Sequence, residues 1–499
     1  MPKHKRTPAP RSRRLRLAAA TTVAATVTGG LVTLSAGPAG AAGSPSATRP
    51  HNADFNGDGY ADLAVSAPDA TVNGHAQAGQ VTVLYGSSAG VSAARRTNIT
   101  QSSAGVPGTP EEGDRFGYAT SPGDFNHDGY TDLAVGAPYE AVNGDIGGGT
   151  VAVLWGSAAG LRGGTTIPEP DPTGHDLFGA HLAAGDFDGN GKTDLTTLDS
   201  SATVRTYSGI TPAGGIGAPT AADVPVRTNH PARPYRLTAG DVDADGKDDL
   251  LVSGGNKAEG YLANYYLPGT AAGPGTVAAE LPGGTVSDIG DLNGDGYGDV
   301  VSGLSYDITN SEEQPGTSLG GNVHITYGTA AGPTGPHQVI DQDTAGVPGT
   351  AEGADDFGSE VSVGDVNGDG FADIAVGAPR EDGSTRGTGN SGAVTVLYGS
   401  AAGTTGAGAQ LFTQNTAGVP GTSEYEDFFG EDVLLSDLND DGRSDLAVGV
   451  SGENERNGAL TLLKSGGARI GTAGALSVSP TAAGVPTAGE PRFGSVLGG

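Results

Sequence analysis

The sequence predicts an all-β fold, and three observations carry the expectation. A motif of the form Asp-x-Asx-x-Asx-Gly-x-x-Asp, followed by an apolar residue, recurs seven times, beginning at Asp54, Asp124, Asp186, Asp241, Asp291, Asp365 and Asp437. Between the copies lie short β-type runs separated by Gly, Pro and Asn turns, with no helical periodicity of any length. Glycine and proline together make 119 of 499 residues, yet the glycines fall at fixed places among the apolar runs. Repeats spaced 50 to 74 residues apart are one architecture and not separate domains.

Each repeat supplies its strands in a fixed order. A run opened by Phe-Gly comes first: Phe116-Gly117, Phe178-Gly179, Phe357-Gly358 and Phe429-Gly430, each Phe eight residues ahead of the first Asp. After the Asp motif comes a second run, such as Asp62–Pro68 or Asp132–Pro138. A third run ends in an aromatic residue, as in Val81–Tyr85, Val151–Trp155, Val323–Tyr327 and Val394–Tyr398. A weaker outer run completes four strands. Seven four-stranded sheets repeated radially make a seven-bladed β-propeller. A linear array of such units would need polar terminal caps, which neither end shows.

The ends of the repeat region are complementary. No Phe-Gly run precedes Asp54, and no Asp motif follows Phe493-Gly494. The C-terminal strand is therefore expected to supply the first strand of the blade that begins at Asp54. Residues 437–499 with 42–53 make one further repeat length, leaving nothing for an eighth blade or a second domain.

The repeated loop is a hard-oxygen ligand set. Its residues at positions 1, 3, 5, 7 and 9 are Asp54, Asn56, Asp58, Tyr60 and Asp62 in the first copy, and Asp124, Asn126, Asp128, Tyr130 and Asp132 in the second. The third has Asp186, Asp188, Asn190, Lys192 and Asp194; the fourth has Asp241, Asp243, Asp245, Lys247 and Asp249. The fifth has Asp291, Asn293, Asp295, Tyr297 and Asp299; the sixth has Asp365, Asn367, Asp369, Phe371 and Asp373. The seventh has Asp437, Asn439, Asp441, Arg443 and Asp445. Glycine at position 6 permits the sharp turn, and the variable position 7 is expected to offer only its backbone carbonyl. Oxygen ligands in this number suit calcium, up to seven ions, and not zinc or copper. Asn190 makes the third loop one charge poorer.

These residues resemble the FG-GAP repeats of integrin α-chain propellers. Phe116-Gly117, the loop Asp124–Asp132 and Gly136-Ala137-Pro138 give the three signature parts in order, and Phe357-Gly358, Asp365–Asp373 and Gly377-Ala378-Pro379 give them again. The resemblance covers nearly the whole chain beyond its N-terminus. It implies a seven-bladed propeller of secreted bacterial type, with calcium in the hairpin between the first two strands of a blade. Departures are that all seven repeats carry the loop, that repeats four and five lack Phe-Gly, and that repeats three to five lack Gly-Ala-Pro. Similar propellers occur in fungal lectins and in a glycosyl-phosphatidylinositol phospholipase D, so fold alone does not fix function.

Other features are assigned no catalytic role. Gly86-Ser87-Ser88-Ala89-Gly90 matches a nucleophile motif, but Gly156–Gly160 and Gly399–Gly403 occupy the same repeat position, and no strand-to-helix elbow surrounds it. His51, His75, His127, His175, His181, His230, His324 and His337 lie in scattered contexts without metal-pair spacing. The acidic groups before Phe-Gly (Glu111-Glu112 with Asp114, Asp355-Asp356, Glu426-Asp427) are expected to be solvated loop.

Composition bounds the rest. A net charge of −31 disfavours nucleic acid and anionic lipid, and the absence of cysteine excludes disulfides and thiolate sites. Residues 1–16 carry seven basic residues and no acidic one, an apolar run follows to about Ala36, and Ala39-Gly40-Ala41 has the form of a cleavage site. Residues 1–41 thus read as a secretory signal peptide, and 42–499 as the propeller. The expectation is a secreted or cell-wall-associated monomer without a membrane span, binding an extracellular glycan or protein ligand. The longer loops Asp69–Gly79, Tyr139–Gly149, Ser305–Gly320 and Arg380–Gly392 would carry that ligand on the face opposite the Asp loops. The alternatives are an extracellular hydrolase acting on glycan or lipid, and a structural wall or spore-coat protein.

Overall fold

The computed structural model describes residues 52–171, 174, 176–227, 236–306, 314–383 and 387–499. The chain divides into Met1–Ser44 and Pro45–Gly499. Residues 1–41, expected from the sequence to be a signal peptide, and His51, His175, His230 and parts of the loops 305–320 and 380–392 lie outside the described residues; the second unit is described below.

Seven antiparallel four-stranded sheets follow one another. From inner to outer strand, blade 1 is Val496–Gly498, Leu63–Ala67, Gln80–Leu84 and Arg96–Ile99. Blade 2 is Ala119–Gly123, Asp132–Ala137, Thr150–Trp155 and Arg162–Ile167, and blade 3 is His181–Gly185, Asp194–Leu198, Thr203–Tyr207 and Thr220–Asp223. Blade 4 is Arg236–Gly240, Asp249–Gly255, Leu262–Leu267 and Ala279–Pro282, and blade 5 is Val286–Gly290, Asp299–Leu304, Asn322–Thr326 and His337–Ile340. Blade 6 is Val361–Gly364, Asp373–Ala378, Ala393–Tyr398 and Thr405–Phe412, and blade 7 is Phe429–Ser436, Asp445–Val450, Ala459–Leu463 and Leu476–Val478. Each innermost strand touches the next around the ring, and blade 7 touches Val496–Gly498. Helix among the described residues is limited to two four-residue turns, Glu453–Arg456 and Pro480–Ala483.

The apolar runs are explained by burial on both faces. Every residue of Leu63–Ala67 and of Asp373–Ala378 is buried, because each blade is covered by a neighbour on either side. Outer strands face water, and Arg96–Ile99 buries only its final residue.

The Phe-Gly and Gly-Ala-Pro signatures are blade-to-blade contacts. Phe116 is buried among Val81, Val83 and Ile99 of blade 1 and Leu133 and Val135 of its own blade. Gly117, at φ +92°, donates its N–H to the Gly136 carbonyl at 3.0 Å. Gly136 in turn lies against blade 3, where a Cβ on it would stand 1.9 Å from the Gly179 oxygen. Blade 5 lacks Phe-Gly and has Gly283-Gly284 in its place, where a Cβ on Gly283 would meet the Leu262 oxygen at 1.8 Å.

The ring closes as the terminal repeats require. Val496–Gly498 pairs antiparallel with the first blade through Ser66↔Val496, Val65↔Leu497 and Ala64↔Gly498. Gly494 N–H donates to Ser66 O at 3.0 Å, and Phe493 is fully buried among Leu63 and Val65 of blade 1 and Ala447 and Leu460 of blade 7.

Candidate functional site

Two places concentrate chemistry: the seven Asp loops and the central channel. The loops sit between the first and second strands of blades 2 to 7, and directly before Leu63–Ala67 in blade 1.

Position 1 folds each loop on itself. Asp54 Oδ1 accepts from Gly57 N at 2.7 Å, and Oδ2 accepts from Gly59 N at 2.8 Å. Asp291 and Asp365 make the same pair of bonds, and Asp124, Asp186, Asp241 and Asp437 each hold the position-6 N–H. Position 3 meets position 9 in two loops, where Asn56 and Asn439 amides donate to Asp62 and Asp445.

Position 9 does more than the spacing implies. Asp62 Oδ2 accepts from Phe55 N at 2.9 Å, and its Oδ1 accepts from Gly86 N at 2.8 Å, which ties the loop to the end of the third strand. Asp132, Asp249, Asp299 and Asp373 repeat both bonds. All seven position-9 carboxylates are buried, including Asp194 and Asp445. Burial beside the loop's other carboxylates pushes Asp62, Asp132, Asp194, Asp249, Asp299 and Asp373 up to about 7, and Asp445 up to about 6. Such groups call for a proton or a cation.

Position 7 differs from the expectation that only its carbonyl matters. Tyr130 lies over Gly57 of the preceding loop, where a Cβ on that glycine would stand 2.5 Å from the ring. Lys247, Phe371 and Arg443 cover Gly189, Gly294 and Gly368 in the same way. Backbone bonds join the same loops: Thr131, Asp248, Ala372 and Ser444 N–H groups donate to the carbonyls of Asp54, Asp186, Asp291 and Asp365. Loops 1 and 2, loops 3 and 4, and loops 5 to 7 are thus linked along one face.

The donor set fits a hard cation. Carboxylate oxygens of Asp241, Asp243 and Asp249 all lie within 4.8 Å of one another. Asn126 Oδ1 at position 3 and Asp194 Oδ1 at position 9 are buried without a partner. Position 5 is already ion-paired in three loops: Asp58 with Arg95 at 2.7 Å, Asp441 with Arg443 at 3.3 Å, and Asp245 with Lys247. An ion there would displace the basic side chain.

The central channel has a volume of about 1250 Å³. Arg236 of blade 4 reaches past blade 5 to chelate Glu360 of blade 6, with Nη2–Oε1 2.9 Å and Nη1–Oε2 3.1 Å. Asp288 and Asp432 lie in the same field. Asp288 Oδ2 accepts from Val363 N of blade 6 at 2.7 Å, and Asp432 Oδ2 accepts from Leu497 N of the closing strand at 3.3 Å. Burial raises both Glu360 and Asp432, against the pull of Arg236. The sequence reading missed these residues. Their one signal is that Glu360 and Asp432 both stand three residues after the Phe of Phe-Gly, where Ala119 and His181 stand in other blades.

At the mouth of this channel, Tyr118 and Tyr139 meet edge to face with centroids 6.0 Å apart, and Arg115 lies 5.2 Å over the Tyr139 ring. Ile146 beside them is 88% exposed, and Asp69 and Asp176 complete the rim. Asp69, Tyr139 and Ile146 come from two of the loops expected to carry a ligand.

The remaining candidates resolve as follows. Ser87 Oγ donates to Gly90 O at 2.8 Å, and Ser157 and Ser400 do the same in their repeats, so the Gly86–Gly90 match is a turn. His324 and His337 are not scattered: their rings stack at 5.2 Å, with Nδ1 and Nε2 3.0 Å apart. Burial and the neighbouring ring lower His324 to about 4, which keeps it neutral. Glu111 and Glu112 are exposed as expected and Asp356 and Glu426 are half-buried, whereas Asp114, Asp355 and Asp427 are buried, which corrects the solvated reading for these three. Strand register and turn packing, invisible in one repeat alone, bring these groups inside.

Comparison with known proteins agrees with this architecture. The FG-GAP repeat family matches residues 47–84, 116–154, 357–397 and 429–463. The chain is 37% identical over 150 residues to integrin alpha-PS5 of Drosophila melanogaster, covering 28% of this chain and 14% of that protein. It is 36% identical over 145 residues to phosphatidylinositol-glycan-specific phospholipase D of Rattus norvegicus, covering 29% and 17%. Integrin alpha-PS2 of Drosophila melanogaster is 29% identical over 272 residues, covering 54% and 15%. The matched region spans about a sixth of the length of these relatives. With four matched repeats, seven Asp loops and a closed ring of seven sheets, the chain is an FG-GAP seven-bladed β-propeller.

Proposed function

We propose that the chain is a secreted or cell-wall-associated, calcium-stabilised binding module that acts as a monomer. Its ligand is a glycan or an extracellular protein surface, docked at the channel mouth. The observation that carries this reading is the exposed Tyr118–Tyr139 pair with Arg115 over it, set on a rigid ring and flanked by Asp69 and Asp176. Aromatic faces give contact area at low entropic cost, and the exposed Asp176 offers acceptors for hydroxyl or amide donors, while the buried Asp69 holds Arg115 in place at 3.0 Å. The loops Asp54–Asp62 through Asp437–Asp445 would hold calcium, with positions 1, 3, 5 and 9 as side-chain ligands and position 7 as a carbonyl ligand. The ion would neutralise the carboxylates and fix the loops. No helix among the described residues is long and apolar enough to cross a membrane.

A glycan array probed with calcium-loaded and chelated protein tests the proposal. Binding is expected only with calcium, and Tyr118→Ala with Tyr139→Ala should weaken it by at least about tenfold, the loss typical of interface anchors. Undiminished binding by that variant would contradict the proposed mouth.

The hydrolase reading has one observation in its favour, the convergence of Asp288, Glu360 and Asp432 in the channel. Arg236 occupies both oxygens of Glu360, which keeps that carboxylate engaged. The protein is therefore proposed not to be an enzyme. Esterase, phospholipase and glycosidase turnover abolished by Glu360→Gln would overturn that.

A further inference from the structure

We infer that three further cation sites lie at blade junctions, on the face opposite the Asp loops, each held by a glutamine, an aspartate and a glutamate. The junctions are 1/2, with Gln101, Asp114 and Glu140; 5/6, with Gln342, Asp355 and Glu381; and 6/7, with Gln414, Asp427 and Glu453.

The three junctions share one construction. The glutamine stands two residues past the outer strand of one blade, after Ile99, Ile340 and Phe412. The aspartate stands two residues before the Phe that opens the next blade, and the glutamate eight residues past the position-9 Asp of that blade's loop. The glutamine Nε2 donates to the glutamate Oε2 at 2.5, 2.6 and 2.5 Å. The aspartate accepts the N–H of Glu111, Glu352 or Glu424 at 2.6 to 2.8 Å, which fixes it in place.

The glutamines point to the ligand. They are only 4%, 3% and 4% exposed, and in all three the Oε1 oxygen is buried without a partner. Leaving such an oxygen unpaired is costly, and the same vacancy three times is not an accident of one side chain. At junction 5/6 the oxygen faces the cluster. Gln342 Oε1, Asp355 Oδ2 and the Glu352 carbonyl oxygen all lie beside Gly320, at 3.3, 3.1 and 2.5 Å from where a Cβ on that glycine would stand. An amide oxygen, two carboxylates and a backbone carbonyl form a hard donor set suited to calcium.

At one junction the whole set is absent. At junction 7/1, the equivalents of glutamine, aspartate and glutamate are Pro480, Pro491 and Ala70. At junction 2/3 the aspartate stays as Asp176 while Glu169 and Ala202 stand at the glutamine and glutamate positions, so the complete set is confined to the three junctions named.

Crystals of the full chain soaked in calcium and measured for calcium's anomalous scattering test the assignment. Three peaks are expected at the junctions, apart from any in the Asp loops. Filled loops with empty junctions would overturn this inference alone, whereas filled junctions with empty loops would sink the loop proposal and leave this one standing. In solution, the variant Glu140→Ala, Glu381→Ala and Glu453→Ala should bind three fewer calcium ions per chain, Ala70 showing that a blade accommodates alanine there. An unchanged stoichiometry would contradict the sites, and if the variant does not fold the soaked wild-type crystal decides.

Discussion

Removing calcium is expected to lower the melting temperature of the purified chain by roughly 20 °C or more. A ligand bound only by the folded state contributes about 2.7 kcal/mol per site at a hundredfold excess over Kd, and several loops act together. The effect should exceed independent sites, because Tyr130, Lys247, Phe371 and Arg443 each cover the preceding loop. The pH dependence of the chelated chain follows from the buried position-9 carboxylates. Their folded pKa values, raised to about 7, exceed the ordinary 3.8 of the unfolded chain. The folded state then binds more protons, so this stabilisation is full below pH 3.8 and is lost as pH rises through about 7. Chelated protein should melt higher at pH 5 than at pH 8, and calcium should abolish or reverse that order by replacing the protons. Identical melting curves with excess chelator and with calcium would refute the proposed role of the loops.

The second large effect is expected from the closing strand. Ending the chain at Pro491 removes Arg492–Gly499, only eight residues, but takes away the fully buried Phe493 and the whole inner strand of blade 1. Loss of a buried Phe alone costs about 3–5 kcal/mol. The truncation also removes the Arg492–Glu431 pair at 2.5 Å and the Leu497 bond to Asp432, and it exposes Leu63–Ala67 as an open edge. The truncated chain should melt far below the full chain and aggregate. Phe493→Ala in the full chain separates the core contribution from the strand contribution, and should fall between the two. Equal melting of truncated and full chains would mean that the ring does not depend on its C-terminal strand.

Much of this architecture was legible because it is repeated. Seven Asp motifs set the blade number, and the unmatched Phe493 at one end and Asp54 at the other set the closure. What one repeat cannot show is what meets across the ring. Arg236 and Glu360 are brought together by blades that are not even neighbours, so no local pattern announces the pair. Asp114 and Glu140 look like surface acids until the glutamine of the preceding blade covers them. His324 and His337 look unrelated until strand pairing aligns Thr326 with His337 and stacks the rings. Position 9 reads as a ligand by its spacing, yet Asp62 also holds Phe55 and Gly86, a structural duty that Asp132, Asp249, Asp299 and Asp373 share.

Equilibrium dialysis of the purified full-length chain against calcium at pH 7.5, counting ions bound per chain, tests the central claim most directly. Seven Asp loops, bridged to one another at four junctions, predict up to seven loop-bound ions, taken up cooperatively and released together by chelator. A chain that binds none, and whose stability is indifferent to calcium, would contradict the account.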